Sequence, residues 1–315
     1  PTYAWALGAR GETHRLAGRY DQAITDYTAA LDIDPTFAWA LAYRGHAHQQ
    51  AGHYDQAVTD FTAALELDPS DAWALGARGE THRLAGRYDQ AITDYTAALE
   101  LNPTYAWALA SRGQAHQQAG RYDQAAADLT AALDIDPTLT WALASRGETH
   151  RLAGRYDQAI TDLTAALELN PTLTWALTER GQSHRQAGHY EKAREDLERA
   201  IEADPEDLSS MFEKLMLDTV EGQLEACAEQ WSRLLASPVS PPNEAATRFL
   251  GLLRVLLLEP ESGVAEATEE FLSANPDHET ITDALAYLAE LTAGGDGVTD
   301  RARQCRRLIV ERTSE

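Results

Sequence analysis

Histidine recurs at one fixed spacing, at His14, His48, His82, His116, His150 and His184. A ladder of this kind is the first arrangement in the chain that could hold a metal. The spacing argues against it, because packed helix axes lie about 8–10 Å apart, whereas a zinc ligand must approach to about 2 Å. Two of these histidines reach each other at best, and neither cysteine joins them. His46 and His48 are two apart on a helix and point away from each other. The stretch "GETH" lacks the second histidine of a zinc-protease helix, and no GxxxxGK[ST] phosphate loop is present. Carboxylates are abundant, but none stands singly beside a candidate nucleophile. These residues predict neither a catalytic constellation nor a cofactor or metal.

A second set of charged residues has a structural use. Arg10 and Asp26 recur as Arg44/Asp60, Arg78/Asp94, Arg112/Asp128, Arg146/Asp162 and Arg180/Asp196. Arg10 shares a helical stripe with Leu7 and His14, so it is expected to be partly buried. A buried guanidinium needs a carboxylate partner, and an aspartate on the facing helix supplies one. One structural ion pair per copy is the expectation.

The elements that position these residues follow from the period. Proline recurs at 1, 35, 69, 103, 137, 171 and 205, and tryptophan at 5, 39, 73, 107, 141 and 175. A fixed period of this length, shared by both residue types, marks a solenoid. Within one copy, Trp5 to Ala17 lacks proline and is rich in Ala and Leu, which predicts a first helix. "AGRY" makes a glycine-containing turn. A second helix runs from Asp21 to about Asp32 and stops before Pro35. Gly11, Ala23 and Ala30 are small in every copy and let helix backbones approach, while Leu7, Tyr20, Tyr27 and Leu31 fill the space between them.

This pattern of small and large residues, with "GRYDQA" and a closing proline, resembles the tetratricopeptide repeat family over residues 1–204. The resemblance implies an all-α fold, a right-handed α-α superhelix of six helical hairpins. In this family the first-helix aromatic falls where Leu7 stands, and the tryptophan lies two residues earlier, about 200° around the helix. The family has Tyr at the His14 position, which favours a packed, hydrogen-bonded histidine.

Copies one and three agree at 29 of 34 positions, two and four at 25, but one and two at only 22. The duplicated unit is therefore a pair of hairpins. Disagreement concentrates on one stripe of the first helix, "RGETHRLAG" in odd copies against "RGHAHQQAG", "RGQAHQQAG" and "RGQSHRQAG" in even ones. With the tryptophans, the positions of Trp5, Gly8, Glu12, Arg15 and Leu16 share this face, away from the Leu7–Arg10–His14 stripe. The resemblance implies that such first-helix residues line a concave groove and contact a protein or peptide partner. The candidate set is Trp5, Glu12, Arg15, Trp39, His46, Gln49, Trp73, Glu80, Arg83, Trp107, Gln114, Gln117, Trp141, Glu148, Arg151, Trp175, Gln182 and Arg185. Neutral drift on a solvated face is the competing reading, and the tryptophans could equally be wedged between hairpins. The clustered Lys/Arg/Asn set with which family members clamp a C-terminal carboxylate is absent.

The formal net charge of −24 disfavours nucleic acid and anionic membranes as partners. It is shared equally: residues 1–204 carry 17 basic and 29 acidic side chains, and residues 205–315 carry 9 and 21. Two cysteines, Cys227 and Cys305, are too few for a disulfide framework and suit a reducing, cytoplasmic setting. The apolar run from Phe249 is too short to span a bilayer and contains Arg254. From Pro205 the copies stop, and residues 206–219, 221–236, 244–258, 261–274, 278–293 and 298–312 read as helices of a degenerate capping region, 205–315. A ligand or oligomerisation module is the alternative there. "RARQCRR" from Arg301 reads as a solvated helix end.

Pro1 sits at a repeat boundary without an initiating Met, which reads as a piece of a longer chain. The Ala-rich, Arg-over-Lys repeats with a degenerate tail resemble the sensor regions of bacterial, actinobacterial, NLR-like signal-transduction NTPases, some of which act in anti-phage defence. The resemblance implies a non-enzymatic ligand sensor; a constitutive assembly scaffold is the alternative. Self-association through the open first hairpin is a further possibility.

Overall fold

The computed structural model describes residues 2–221, 263–273, 284, 288 and 297–313, and every described element is an α-helix. Two compact units divide the chain, Pro1–Pro137 and Thr138–Glu315.

Unit one holds four hairpins: α1 (Thr2–Leu16) with α2 (Tyr20–Ile33), α3 (Ala38–Gln50) with α4 (Tyr54–Leu67), α5 (Ala72–Leu84) with α6 (Tyr88–Leu101), and α7 (Ala106–Gln118) with α8 (Tyr122–Ile135). Unit two holds α9 (Thr140–Leu152) with α10 (Tyr156–Leu169), α11 (Thr174–Gln186) with α12 (Tyr190–Ala203), then α13 (Leu208–Val220), α14 (Val264–Ser273) and α15 (Gly297–Thr313). The six repeated hairpins thus run through both units, and their last helix ends at Ala203.

Each hairpin turn has the same cause. The chain leaves the first helix through a left-handed glycine: Gly18 has φ of 70°, and its five equivalents lie between 72° and 78°. The amide of Arg19 then donates to the His14 carbonyl at 2.9 Å, closing the helix end as glycine caps do. Between hairpins, the Asp34 carboxylate accepts from the amide and hydroxyl of Thr36 at 3.1 and 2.8 Å, and Asp68 and Asn102 repeat this turn.

Inside a hairpin, the Gly11 position is where the two helices touch. A Cβ there would meet the Tyr27 ring at 3.1 Å and the Ala23 carbonyl at 3.3 Å. Tyr27, Ala23 and Ala30 are fully buried, as are Phe61, Tyr95, Leu129, Leu163 and Leu197 at the Tyr27 position. The filler changes from aromatic to leucine along the chain while the glycine stays.

Past the last repeat, Asp207 caps α13 by accepting from the amides of Ser209 and Ser210. α13 packs on α11 and α12, with Leu217 against Ala193 and Leu197. It therefore takes the place of the first helix of a seventh hairpin, although its sequence has lost the repeat. α14 packs on α15 through Val264, Phe271, Ala302, Cys305 and Ile309, all buried, and the Thr268 hydroxyl lies 3.3 Å from the Cys305 sulfur. The "RARQCRR" run is thus two-faced: Ala302 and Cys305 point inward, and Arg303, Arg306 and Arg307 point to solvent. The helices expected at 221–236 and 244–258, together with Cys227 and the apolar run from Phe249, lie outside the described residues. Of 278–293 only Ala284 and Leu288 are described, both helical and buried.

Candidate protein-binding face

The Arg–Asp pairs are bidentate in all six hairpins. Arg44 Nε and Nη2 donate to Asp60 at 2.8 and 2.6 Å. Arg10 with Asp26, Arg78 with Asp94, Arg112 with Asp128, Arg146 with Asp162 and Arg180 with Asp196 repeat this fork within 2.5–2.8 Å. The aspartate is the more buried member of each pair. Asp26, Asp60, Asp94, Asp128, Asp162 and Asp196 are all less than a tenth exposed and count among the buried charges. The arginine side chains keep more solvent, 15–21% in five hairpins, because the long stem runs outward past the carboxylate. Arg10 departs furthest: its side chain is 62% exposed, because no hairpin in the structure lies on its other side.

The remaining guanidinium nitrogen reaches backwards. Arg44, Arg78 and Arg112 donate to Thr28, Thr62 and Thr96 of the preceding second helix at 3.1–3.2 Å. Arg180 does the same to Thr164 in unit two. Each of these guanidinium groups thus joins its own hairpin and also fastens it to the one before. The sequence reading missed these threonines, whose only signal was the recurrence of threonine at 28, 62, 96, 130 and 164.

The same aspartates face the histidines. His48 Nε2 lies 3.9 Å from Asp60 Oδ2, and His14, His82, His116 and His150 sit 3.6–3.8 Å from Asp26, Asp94, Asp128 and Asp162. Burial, opposed by the aspartate, holds His48, His82, His116, His150 and His184 below the ordinary imidazole value and therefore neutral; for His184 the opposing charge is Asp196. The expectation of a hydrogen-bonded histidine needs correcting for three copies. Nδ1 accepts from Arg19 in His14 and pairs with His53 or His189 in His48 and His184. In His82, His116 and His150 it is buried with no hydrogen-bond partner in the protein. Among the described residues, no three ligating side chains cluster as a metal site would require.

The variable stripe is largely a seam. Within each unit, the Arg15 position of a first helix meets the next first helix or, at Arg185, α13. Arg15 covers the Tyr43 ring at 5.5 Å; Gln49 donates to the Ala77 carbonyl and the Thr81 hydroxyl at 3.3 and 3.0 Å. In unit two, Arg151 donates to Glu179 at 2.7 Å and Arg185 to Glu213 at 3.0 Å. Gln49, Arg151 and Arg185 are accordingly less than a tenth exposed; Gln117, and Gln182 at the Glu12 position, are equally buried, so these five candidates face the interior. A stripe argument on an isolated helix could not reveal this, because what buries a side chain is a neighbouring helix and not its own.

Glu12 and Arg15 form a fork at 2.7 Å, and the Tyr27 hydroxyl donates to Glu12 at 2.9 Å. Glu80, Arg83 and Tyr95 repeat it. The Arg15 fork holds Glu12 below the ordinary carboxylate range, while burial and the facing glutamates push both phenols up. Arg15 Nη1 also lies 3.1 Å from His46 Nδ1, and Arg83 Nη1 donates to Gln118 at 3.2 Å. Burial first and Arg15 second keep His46 neutral.

The tryptophans are wedges. Trp39, Trp73 and Trp107 each meet the buried ring of the preceding second helix, Tyr27, Phe61 or Tyr95, at 5.9–6.2 Å between centroids. Trp39 and Trp107 also lie over glycines of the preceding first helix: a Cβ on Gly8 or Gly76 would fall 2.9 or 3.0 Å from the indole. One edge of each of the three remains open, with 36% of the residue exposed. Trp5, without a preceding hairpin in the structure, is 66% exposed; Trp175 keeps a similar open edge at the start of α11, and Trp141 is half-buried. Glu12, His46, Glu80, Gln114 and Glu148 are half-buried.

Comparison with known proteins names the architecture. Family models described as tetratricopeptide repeat match residues 44–106, 77–140 and 138–206, and one described as TPR repeat matches 11–52, so together they run from 11 to 206. The chain belongs to the tetratricopeptide repeat family. Among solved structures it is similar to a tetratricopeptide repeat protein from Parabacteroides merdae, with 16% identity and a TM-score of 0.65 over 88% of this chain and all of that one. PilW, a type IV pilus biogenesis factor, gives 20% identity and a TM-score of 0.62 over 66% of this chain and 97% of that one. MamA from Desulfovibrio magneticus gives 20% and 0.51 over 55% and 98%. At these identities the likeness is one of fold. No curated protein matches the chain in sequence. Among the described residues of this tetratricopeptide repeat chain, no helix is long and apolar enough to cross a membrane.

Proposed function

We propose that this chain is a non-catalytic solenoid that binds a protein or peptide along its first helices. The observation that supports the reading is the row of Trp39, Trp73 and Trp107. Their rings are seated alike and each presents one open edge, and the half-buried His46 ring lies 6.1 Å from Trp73. An apolar edge repeated at every hairpin is the surface a bound chain would cover. Arg151 and Arg185 are structural in this reading.

The repeat style further supports placing the chain as the ligand-sensing part of a larger bacterial signalling or defence NTPase, in the cytoplasm. A sensor binds a conditional ligand and alters the assembly of its parent; a scaffold binds its partner constitutively. The test selects ligands for the full chain from a random peptide library and maps them by amide hydrogen exchange. Protection on α3, α5 and α7 is the expected result, whereas protection confined to the second helices, or none, would overturn the groove assignment. A phosphate-binding loop encoded upstream of Pro1 is expected, and its absence would remove the NTPase reading.

A further inference from the structure

The open aromatic row of unit one has a bounded pitch. Tyr43 bridges two of its members: its ring centroid lies 4.7 Å from that of Trp39 and 5.1 Å from that of Trp73. These two steps keep the indoles within about 10 Å of each other, and equivalent side chains on helices packed side by side stand about one axis spacing apart, so a step of about 8–10 Å per hairpin is taken for the row. Trp107, seated on Tyr95 as Trp39 is on Tyr27, continues the row by the same hairpin step.

A bound chain meets every ring only if its own repeat matches that step. A β-strand presents one face every two residues, at about 6.8 Å, and again at about 13.6 Å; the first is too short and the second too long. An α-helix returns to one face after seven residues, about 10.5 Å, which exceeds the upper limit and accumulates error at each ring. A polyproline II helix returns after three residues, about 9.3 Å. Only the last falls inside the interval, and such segments dock on aromatic-lined grooves.

Charge selects further. Unit one has no lysine, and of its nine arginines eight are salt-bridged to carboxylates: Arg10, Arg15, Arg44, Arg78, Arg83, Arg87, Arg112 and Arg121. The ninth, Arg19, donates to His14. Among the described residues, Arg19 is thus the one arginine of unit one without a carboxylate partner, while carboxylates exceed arginines. One of them lies beside the row: Asp71 accepts from the Trp73 and Ala74 amides at 3.0 Å. It also acts, after burial, to raise the phenol of Tyr105, whose ring is 5.6 Å from Trp107.

We infer that the ligand of this row is a proline-rich segment in the polyproline II conformation, carrying a lysine or arginine that pairs with Asp71. The inference rests on the groove reading above. The test uses the full chain and synthetic peptides of about twelve residues, four polyproline turns: proline-rich with basic flanks, proline-rich with neutral flanks, the basic peptide with prolines changed to alanine, and a basic amphipathic helix. Binding is read by tryptophan fluorescence and hydrogen exchange, with library-selected ligands as reference. The basic proline-rich peptide binds and protects α3, α5 and α7, and its alanine counterpart loses at least about tenfold. Asp71→Asn keeps the cap, since Asn also accepts from the amides. It weakens the basic peptide by about two- to fivefold, the range of an exposed ion pair, and leaves the neutral-flank peptide unchanged. If library ligands protect these helices but the alanine or helical peptide binds as well as the proline-rich one, this inference falls and the groove reading stands. If no ligand protects them, both fall.

Discussion

Arg151→Ala tests the claim that the variable stripe is a seam. Arg151 is 4% exposed and Glu179 8%, and they meet at 2.7 Å between successive first helices. Removing the guanidinium breaks a buried ion pair from one side, a change that costs about 3–5 kcal/mol. Arg15→Ala, at the equivalent place, leaves a glutamate that is itself a quarter exposed and on the same helix, so solvent takes over and the cost is about 1 kcal/mol or less. Adding Glu179→Gln to Arg151→Ala removes the buried charge and is expected to recover about 2 kcal/mol of its desolvation penalty. Repeat arrays open piecemeal, so a single global unfolding energy is the wrong readout. Amide hydrogen exchange in α9 and α11, followed by mass spectrometry across a urea series, reports the local opening energy. A loss below about 1 kcal/mol for Arg151→Ala, or no recovery with Glu179→Gln, would show that this residue is not part of the packing.

Two other outcomes follow from the same contacts. Gly147→Ala places a Cβ 2.6 Å from Leu163 Cγ and 3.2 Å from the Ala159 carbonyl, and is expected to cost about 2–3 kcal/mol through forced separation of α9 and α10. Gly18→Ala meets nothing within 4 Å but has φ of 70°, so about 1–2 kcal/mol of backbone strain is expected; equal losses of local opening energy by hydrogen exchange would refute the close-approach account. The five histidines held neutral by burial have folded values below the unfolded one, so their contribution is present above about pH 6.5 and is lost as pH falls through the folded values. The thermal midpoint by circular dichroism therefore drops between pH 7.5 and 5, and a flat profile over that interval would contradict their burial.

The repeated residues carried most of the fold. Proline at each repeat boundary, glycine at each turn and the Gly11/Ala23/Ala30 set predict helical hairpins, because helix starts, stops and close approaches depend on a few local residue types. The bidentate Arg10–Asp26 fork was legible for the same reason: both partners lie within one copy. What lay between copies was not legible. The backward bond from Arg44 to Thr28, the burial of Gln49 and Arg151, and the seating of Trp39 over Gly8 each join residues of different hairpins. A helical stripe gives direction but does not say which neighbour fills it.

α13 marks the same boundary from the other side. Its sequence has lost the repeat, yet Glu213 meets Arg185 as Glu179 meets Arg151, at the same separation along the chain. By itself the amino-acid sequence determined the hairpin, through local sterics, capping and spacing that any isolated copy contains. Only the tertiary structure decided which face became a seam and which stayed open, since burial depends on what a neighbouring helix covers, and identical copies cannot encode their neighbours.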